Sequence, residues 1–270
     1  MMEAHEQRTL VREKYGAIAE GRSCGCGCGC ASDVPDAAGV EEVREATLGV
    51  IGYSEAEAAE VPAESNLGLG CGNPLAHADV RPGETVLDLG SGAGIDCFLA
   101  AREAGPEGRV IGVDMTPSMV DRARDAARKH DYRNVEFRLG EIEHLPVADG
   151  SVDLVISNCV VNLSPEKEQV FREALRVLKP GGRLVVSDLV WTRPVPEAIR
   201  GSVDALVGCV GGASLKQDYL DFIRRAGFES VDVVEETRYD AGLEAFAGRS
   251  AERDAFDAVR SVKVRARKAA

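Results

Sequence analysis

The sequence predicts an α/β fold, a Rossmann-like, doubly wound and mostly parallel sheet, and three observations carry that expectation. From Thr85 to Asp188, short apolar runs alternate with helical segments, the pattern of βαβ units joined by right-handed crossovers. A glycine-rich turn, Gly90-Ser91-Gly92-Ala93-Gly94, joins the first apolar run to the first of these helices. An acid, Asp114, closes the second run about twenty residues beyond the glycines, where doubly wound folds place a ribose-binding carboxylate.

Taken in order, residues 3–20 carry Leu10, Val11, Tyr15 and Ile18 among charges, a short amphipathic helix. Gly21–Cys30 is too rich in glycine for regular structure, and residues 31–66 read as loops and short helices. Within them Ser54-Glu55-Ala56-Glu57 forms a capping box. Strands are expected at Thr85–Leu89, Arg109–Asp114, Val135–Leu139, Val152–Ser157 and Arg183–Asp188. Between them lie helices at Ile95–Ala104, from Thr116-Pro117 to about His130, and at Pro165–Leu178. Threonine as cap with proline in the first turn starts the second helix. Lys179-Pro180-Gly181-Gly182 closes the third. Leu189–Ser214 reads as an insertion over the carboxyl edge of the sheet. A helix at Lys216–Ala226 and a strand at Phe228–Glu235 follow. Arg260–Arg265 alternates as a last, antiparallel edge strand with an exposed basic face. The expected division is a Cys-rich N-terminal extension over 1–52, a nucleotide-binding domain over 53–240 and a C-terminal extension over 241–270.

The 270-residue chain has a net charge of −13, which argues against binding nucleic acid or an anionic membrane. No apolar run approaches the roughly 18 residues of a membrane helix. The N-terminus lacks an apolar signal core, so a cytoplasmic protein is expected. In that compartment the eight cysteines suit metal, redox or catalytic chemistry better than a disulfide framework.

In the glycine turn the third glycine comes one residue earlier than the dinucleotide fingerprint requires, Ile95 taking its place, and Asp88 precedes the turn. That combination suits a ligand without a pyrophosphate, whose cationic end needs a carboxylate nearby. Three isolated cysteines fall on loops that can reach the same edge: Cys71 in Gly70-Cys71-Gly72-Asn73-Pro74, Cys159 just after the fourth strand, and Cys209 in the insertion. Three thiolates favour a soft, thiophilic ion. Cys97, inside a helix, reads as core filler. The alternating Cys24, Cys26, Cys28 and Cys30 read either as a metal-capturing segment or as a mobile tail. Gly211-Gly212 suggests a flexible loop that brings Cys209 over the site when ligand binds. Trp191 and Tyr53 read as packing that also shields the site. The four histidines, His5, His77, His130 and His144, lack ligand spacing.

Residues 80–228 resemble the class I S-adenosylmethionine-dependent methyltransferases, through the glycine loop, Asp114, Gly140–Pro146 and Leu178–Gly182. The resemblance implies that Asp88, Gly90, Ser91 and Gly92 line the methionine end of the cofactor. It further implies Asp114 and Met115 at the ribose, Glu141 and Ile142 flanking the adenine, and Asn158 beside the reactive group. GlyCysGlyAsnPro, AsnCysValValAsnLeuSer and CysValGlyGlyAla, together with the N-terminal cysteines, resemble the arsenite methyltransferases more specifically over residues 11–240. That resemblance implies Cys71, Cys159 and Cys209 as ligands of trivalent arsenic. It also implies a redox role for one N-terminal cysteine, of which Cys30 is the choice, and a thiol reductant such as thioredoxin or glutathione. Arsenic bound by three sulfurs is pyramidal and keeps a lone pair, so its methylation needs no general base. The expected partners are arsenite and methylated trivalent arsenicals, with thioredoxin as a protein partner of an otherwise monomeric enzyme. Two other readings compete: methylation of a small organic substrate with structural cysteines, and a metalloid-sequestering protein.

Overall fold

The computed structural model describes residues 3–22, 47–194, 203–239 and 257–270. A helix, α1 (Ala4–Ala19), precedes a short α2 (Glu55–Ala59). The α/β core then runs β1 (Thr85–Leu89), α3 (Ile95–Ala104), β2 (Arg109–Asp114), α4 (Pro117–Lys129) and β3 (Val135–Leu139). It continues through β4 (Val152–Asn158), α5 (Lys167–Val177), β5 (Leu178–Trp191), α6 (Val203–Val207) and α7 (Lys216–Ala226) to β6 (Ser230–Arg238) and β7 (Val259–Arg267). The sheet order is β3-β2-β1-β4-β5-β7-β6. The first five strands are parallel, whereas β7 pairs antiparallel with both β5 and β6.

The core follows from strand alternation. On β1, Leu87 and Leu89 face one side with Val113, Val155 and Val186, under Val170, Phe171 and Ala174 of α5 and Tyr219 and Ile223 of α7. Val86 faces the other side with Val110, Leu154 and Ile156, under Phe98, Ala101, Val120 and Ala123 of α3 and α4. Both faces are covered, so the strands are mostly apolar and buried along most of their length rather than alternating, as a buried parallel sheet requires. The chain leaves β1 toward β2 on one side and returns to β4 on the other. The carboxyl ends of β1 and β4 therefore flank the switch-point crevice.

Several expectations are met locally. Ser54 accepts a hydrogen bond from Glu57 N, and the Glu57 carboxylate returns to Ser54 N at 2.7 Å, completing the capping box. Thr116 stands at the cap of α4 with proline following, but its side chain makes no capping bond. Asp114 Oδ1 accepts from Thr116 N at 2.8 Å, which fixes the turn leading into the helix.

Two expectations need correction. The last strand is not at the edge: β7 lies between β5 and β6, so β6 is the edge strand. Its basic residues are correspondingly not an exposed face. Lys263 is buried and paired with Glu235, and Arg265 reaches the His77 carbonyl and Asp79. Periodicity specified the strand, but pairing partners far apart in sequence decide its place in the sheet. The Lys179–Gly182 turn survives only as a bulge. Leu178 pairs with Val152 and Arg183 with Leu154, so the residues between are looped out of the ladder.

Candidate functional site

The glycine loop leaves β1 at the switch point. Gly90 has φ 68°, and a Cβ there would stand 2.3 Å from Val160 Cγ2, so both conformation and space demand glycine. Gly92 N donates to Asp114 Oδ2 at 3.0 Å, which ties the loop to the end of β2. Ser91 turns both polar groups toward β2: its N–H donates to Val113 O, and its buried hydroxyl lies against Gly112. Burial raises the Asp114 carboxyl, and the two backbone N–H bonds offset part of that rise.

Beneath the loop lie two buried acids, Asp88 and Asp96. Desolvation raises Asp88 well above the ordinary carboxylate range, and the neighbouring Asp96 adds to the rise. Asp96 itself is raised to about 6, again by burial, despite hydrogen bonds from Tyr53 and Asn158 that favour its charged form. Tyr53 Oη donates to Asp96 Oδ1 at 2.7 Å, and Cys97 Sγ lies 3.4 Å from Asp88 Oδ2. Cys97 is thus core filler that also holds an acid. Among the described residues no Lys or Arg forms an ion pair with Asp88 or Asp96. Two buried carboxylates below a glycine cradle fit a ligand that brings its own positive charge.

The three loop cysteines come together beside this pocket. Cys71, Cys159 and Cys209 are all buried and share one apolar cluster with Leu163, Leu189, Trp191 and Val210. Cys159 and Cys209 have φ 62° and 63°. For a residue with a Cβ that left-handed conformation costs on the order of 1–3 kcal/mol and persists only where surrounding contacts hold it. They are held by hydrogen bonds from Cys159 N to Ser187 O at 2.8 Å and from Cys209 N to Leu206 O at 2.9 Å. Cys209 Sγ in turn lies 3.0 Å from Cys159 O. Burial pushes the Cys71 thiol up to about 11 and Cys159 well above its ordinary value.

Cys71 is pinned on both sides. Its N–H donates to Asn158 Oδ1 at 3.1 Å, and its carbonyl accepts from Ser261 Oγ at 2.8 Å. Asn158 Nδ2 also donates to Gly72 O at 2.7 Å. The Gly72 backbone lies so close on β5 that a Cβ would fall 2.0 Å from Ser187 Oγ. Asn158 therefore ties the Cys71 loop to Tyr53 and Asp96, at 2.9 and 3.3 Å, and so to the acid pocket.

The Cys209 loop does not match its expectation. Gly211 and Gly212 are required by close packing rather than for freedom: a Cβ would stand 2.7 Å from Leu206 N and 2.2 Å from Asn162 O respectively. Trp191 Nε1 donates to Val210 O at 3.0 Å and fixes the same loop. Cys209 already lies in the apolar cluster, but the ligand atoms within 4.8 Å of one another there belong to Cys71, Cys159 and Asp188, so the Cys209 sulfur still has some distance to close.

Helix α1 covers both halves of the site. Tyr15 packs between the thiol cluster and a second cluster containing Ala93 and Met119, and its hydroxyl donates to Val207 O at 3.1 Å. Gln7 donates to Leu163 O at 3.0 Å. Arg8 bonds Glu143 and Glu166, and Arg12 pairs with Glu141 at 3.3 Å. Of the remaining expected cofactor residues, Ile142 is buried, Glu141 stands at the surface under α1, and Met115 packs on the thiol cluster. Cys24, Cys26, Cys28 and Cys30 lie outside the described residues.

Sequence reasoning missed Asp96, Tyr15 and Asp188. An acid in the first turn of a helix ordinarily serves the helix dipole, so Asp96 carried no distinguishing signal. Tyr15 gave only an apolar period. Asp188 ended a predicted strand without a glycine turn after it.

Residues 81–227 match the family model described as a methyltransferase domain. An arsenite methyltransferase of Halobacterium salinarum is 49% identical over 274 aligned residues, covering 98% of this chain and 67% of that protein. Arsenite methyltransferases of Aquipseudomonas alcaligenes and Homo sapiens are 42% and 40% identical over 62% and 53% of the chain. The chain's aligned part spans 50% and 40% of their respective lengths. Among solved structures, an arsenic(III) S-adenosylmethionine methyltransferase from Chlamydomonas reinhardtii superposes with a TM-score of 0.64 at 34% identity, over 84% of this chain and 73% of that one.

Proposed function

The chain belongs to the arsenite methyltransferase family of S-adenosylmethionine-dependent methyltransferases, and from that premise we propose that it transfers a methyl group to trivalent arsenic held by Cys71, Cys159 and Cys209. The observation that carries this reading is the convergence of those three thiols, from three loops, in one buried apolar cluster beside the glycine loop.

When bound, S-adenosylmethionine supplies an electrophilic methyl group on a sulfonium. Asp88 and Asp96 hold the positive charge of its methionine end, Gly90 and Gly92 let the backbone approach, and Asp114 with Met115 faces the ribose. Glu141 and Ile142 border the base. The three cysteines exchange their protons for arsenic: three thiols and arsenous acid give the tris-thiolate and three waters. The site therefore needs no separate base to load. The apolar wall of Leu163, Leu189, Trp191 and Val210 keeps water from the arsenic. The arsenic lone pair becomes the As–C bond, and the electrons of the broken C–S bond leave with sulfur. Positioning carries most of the rate enhancement, at best on the order of 7–11 kcal/mol.

Arsenic has then lost two electrons in formal terms, and two thiolates joining as a disulfide return them. Cys30, among Cys24, Cys26, Cys28 and Cys30, is the proposed N-terminal member of that pair. A dithiol or glutathione-type reductant, thioredoxin being the candidate partner, restores the thiols. In this reading residues 1–52 serve thiol turnover and 53–240 bind both substrates. The enzyme acts as a cytoplasmic monomer in arsenic detoxification. No helix among the described residues is long and apolar enough to cross a membrane.

Incubation with arsenite, S-adenosylmethionine and a thiol reductant, followed by arsenic speciation, tests the reading. Methylated arsenicals that depend on all three cysteines are expected. Turnover that survives serine at Cys159 and Cys209 contradicts it.

A further inference from the structure

One buried acid has no part in this chemistry. Asp188, on β5, is fully buried, and one of its carboxylate oxygens lies within 4.8 Å of both Cys71 Sγ and Cys159 Sγ, which are equally close to each other. Its carboxylate is oriented as metal-ligating carboxylates are: Tyr219 Oη donates to Oδ2 at 2.9 Å and Leu189 N to Oδ1 at 3.1 Å. Asn162 N also faces this carboxylate, which keeps at least one of its roughly four lone-pair sites free.

We propose that Cys71, Cys159 and Asp188 form a binding site for a zinc-class divalent cation, Zn2+ or Cd2+, that overlaps the arsenic site and excludes arsenite from it. The two ligands differ in what they ask of the protein. Trivalent arsenic takes three sulfurs as a pyramid and directs a lone pair into the remaining space. Zinc and cadmium have no such lone pair and accept mixed sulfur and oxygen donors in a closed tetrahedron. Cys71 and Cys159 serve both. Cys209 completes the set for arsenic, and Asp188 completes it for the divalent cation, whose fourth position is left to Cys209 or water. Ligand atoms within 4.8 Å of one another need only a small inward movement to reach zinc–thiolate and zinc–carboxylate bonds of about 2.3 and 2.0–2.2 Å. The site does not rest on methyl transfer, because it is read from binding alone.

The test is Cd2+ titration of the reduced full-length chain carrying serine at Cys24, Cys26, Cys28 and Cys30, followed by the sulfur-to-cadmium absorption band and by competition with arsenite. One Cd2+ per chain is expected, lost on Cys71→Ser and displaced by arsenite. Asp188→Asn should weaken Cd2+ by roughly 30-fold, within the range found for disrupted metal sites, while arsenite affinity stays within about threefold. Equal loss of both ligands, or undiminished Cd2+ binding in Asp188→Asn, overturns the proposal. Should Asp188→Asn not fold, Tyr219→Phe, which removes the hydrogen bond that orients Asp188 Oδ2, decides: Cd2+ binding weakened by roughly 10-fold with arsenite affinity within about threefold upholds the site, and undiminished Cd2+ binding overturns it. Absence of methylation with cadmium still bound would sink the proposed activity and leave this site standing.

Discussion

Replacing Asn158 by alanine separates two roles that this side chain can have. The resemblance to the methyltransferases places it beside the cofactor, whereas its hydrogen bonds run to the Cys71 loop. Oδ1 accepts from Cys71 N at 3.1 Å and Nδ2 donates to Gly72 O at 2.7 Å. Each such bond contributes about 1 kcal/mol net, so Asn158→Ala removes about 2 kcal/mol of restraint from the segment that carries Cys71. If that energy sets how often the loop holds Cys71 in register, the competent fraction and the arsenite affinity both fall by roughly 30-fold. Affinity for S-adenosylmethionine should fall less, by no more than about fivefold, since Asp88, Gly90 and Asp114 are untouched and the cofactor pocket loses only the 3.3 Å bond from Asn158 to Asp96. Trp191 is the only tryptophan and lies in the thiol cluster, so its fluorescence reports arsenite binding directly. Calorimetry reports the cofactor. An unchanged arsenite affinity alongside a large loss of cofactor affinity would refute the loop-pinning argument.

Tyr15→Phe removes the hydrogen bond to Val207 O that ties α1 to the segment before Cys209. A loss of about 1 kcal/mol there predicts roughly fivefold weaker arsenite binding in the same fluorescence titration. Equal affinity for the two proteins would show that α1 does not restrain the loop. Asp96 gives the pH dependence: its carboxyl is raised to about 6 by burial, and a bound cation favours the ionised form. Cofactor affinity, measured by calorimetry, should hold above that pH and weaken by up to about tenfold per unit below it. Asp96→Asn should bind more weakly at neutral pH and lose this part of the dependence. Arg183→Ala breaks the pair that the buried Arg183 makes with the partly buried Glu84 at 2.7 Å and two bonds to the Ala78 and Asp79 carbonyls. Chemical denaturation should show a loss of about 2–3 kcal/mol, from the lost hydrogen bonds and from the partly buried Glu84 left without its partner.

Local periodicity carried the parallel half of the fold into the sequence. Apolar runs at Thr85, Arg109 and Val152 each become a strand because both faces of the sheet are covered. The position of β7 was not legible, because nothing local to Val259–Arg267 says that β5 and β6 will flank it. At the site, Cys71, Cys159 and Cys209 were legible from their loop contexts and resemblance, and the structure gathers all three. What joins them was not. Asn158, Tyr53 and Asp96 lie on three separate segments, and their hydrogen bonds exist only once the tertiary fold is formed. Gly211-Gly212 shows the converse failure. Paired glycines suggest freedom when seen alone, yet here they permit a close approach to Asn162 and Leu206 that fixes Cys209 in place.

Arsenic-edge X-ray absorption of the arsenite-loaded, reduced protein tests the central claim most directly, with Cys24, Cys26, Cys28 and Cys30 replaced by serine so that only the buried cluster contributes. Three sulfur neighbours are expected, falling to two when any one of Cys71, Cys159 or Cys209 becomes serine. An oxygen-dominated shell, or a sulfur count unaffected by one of those replacements, would contradict the account.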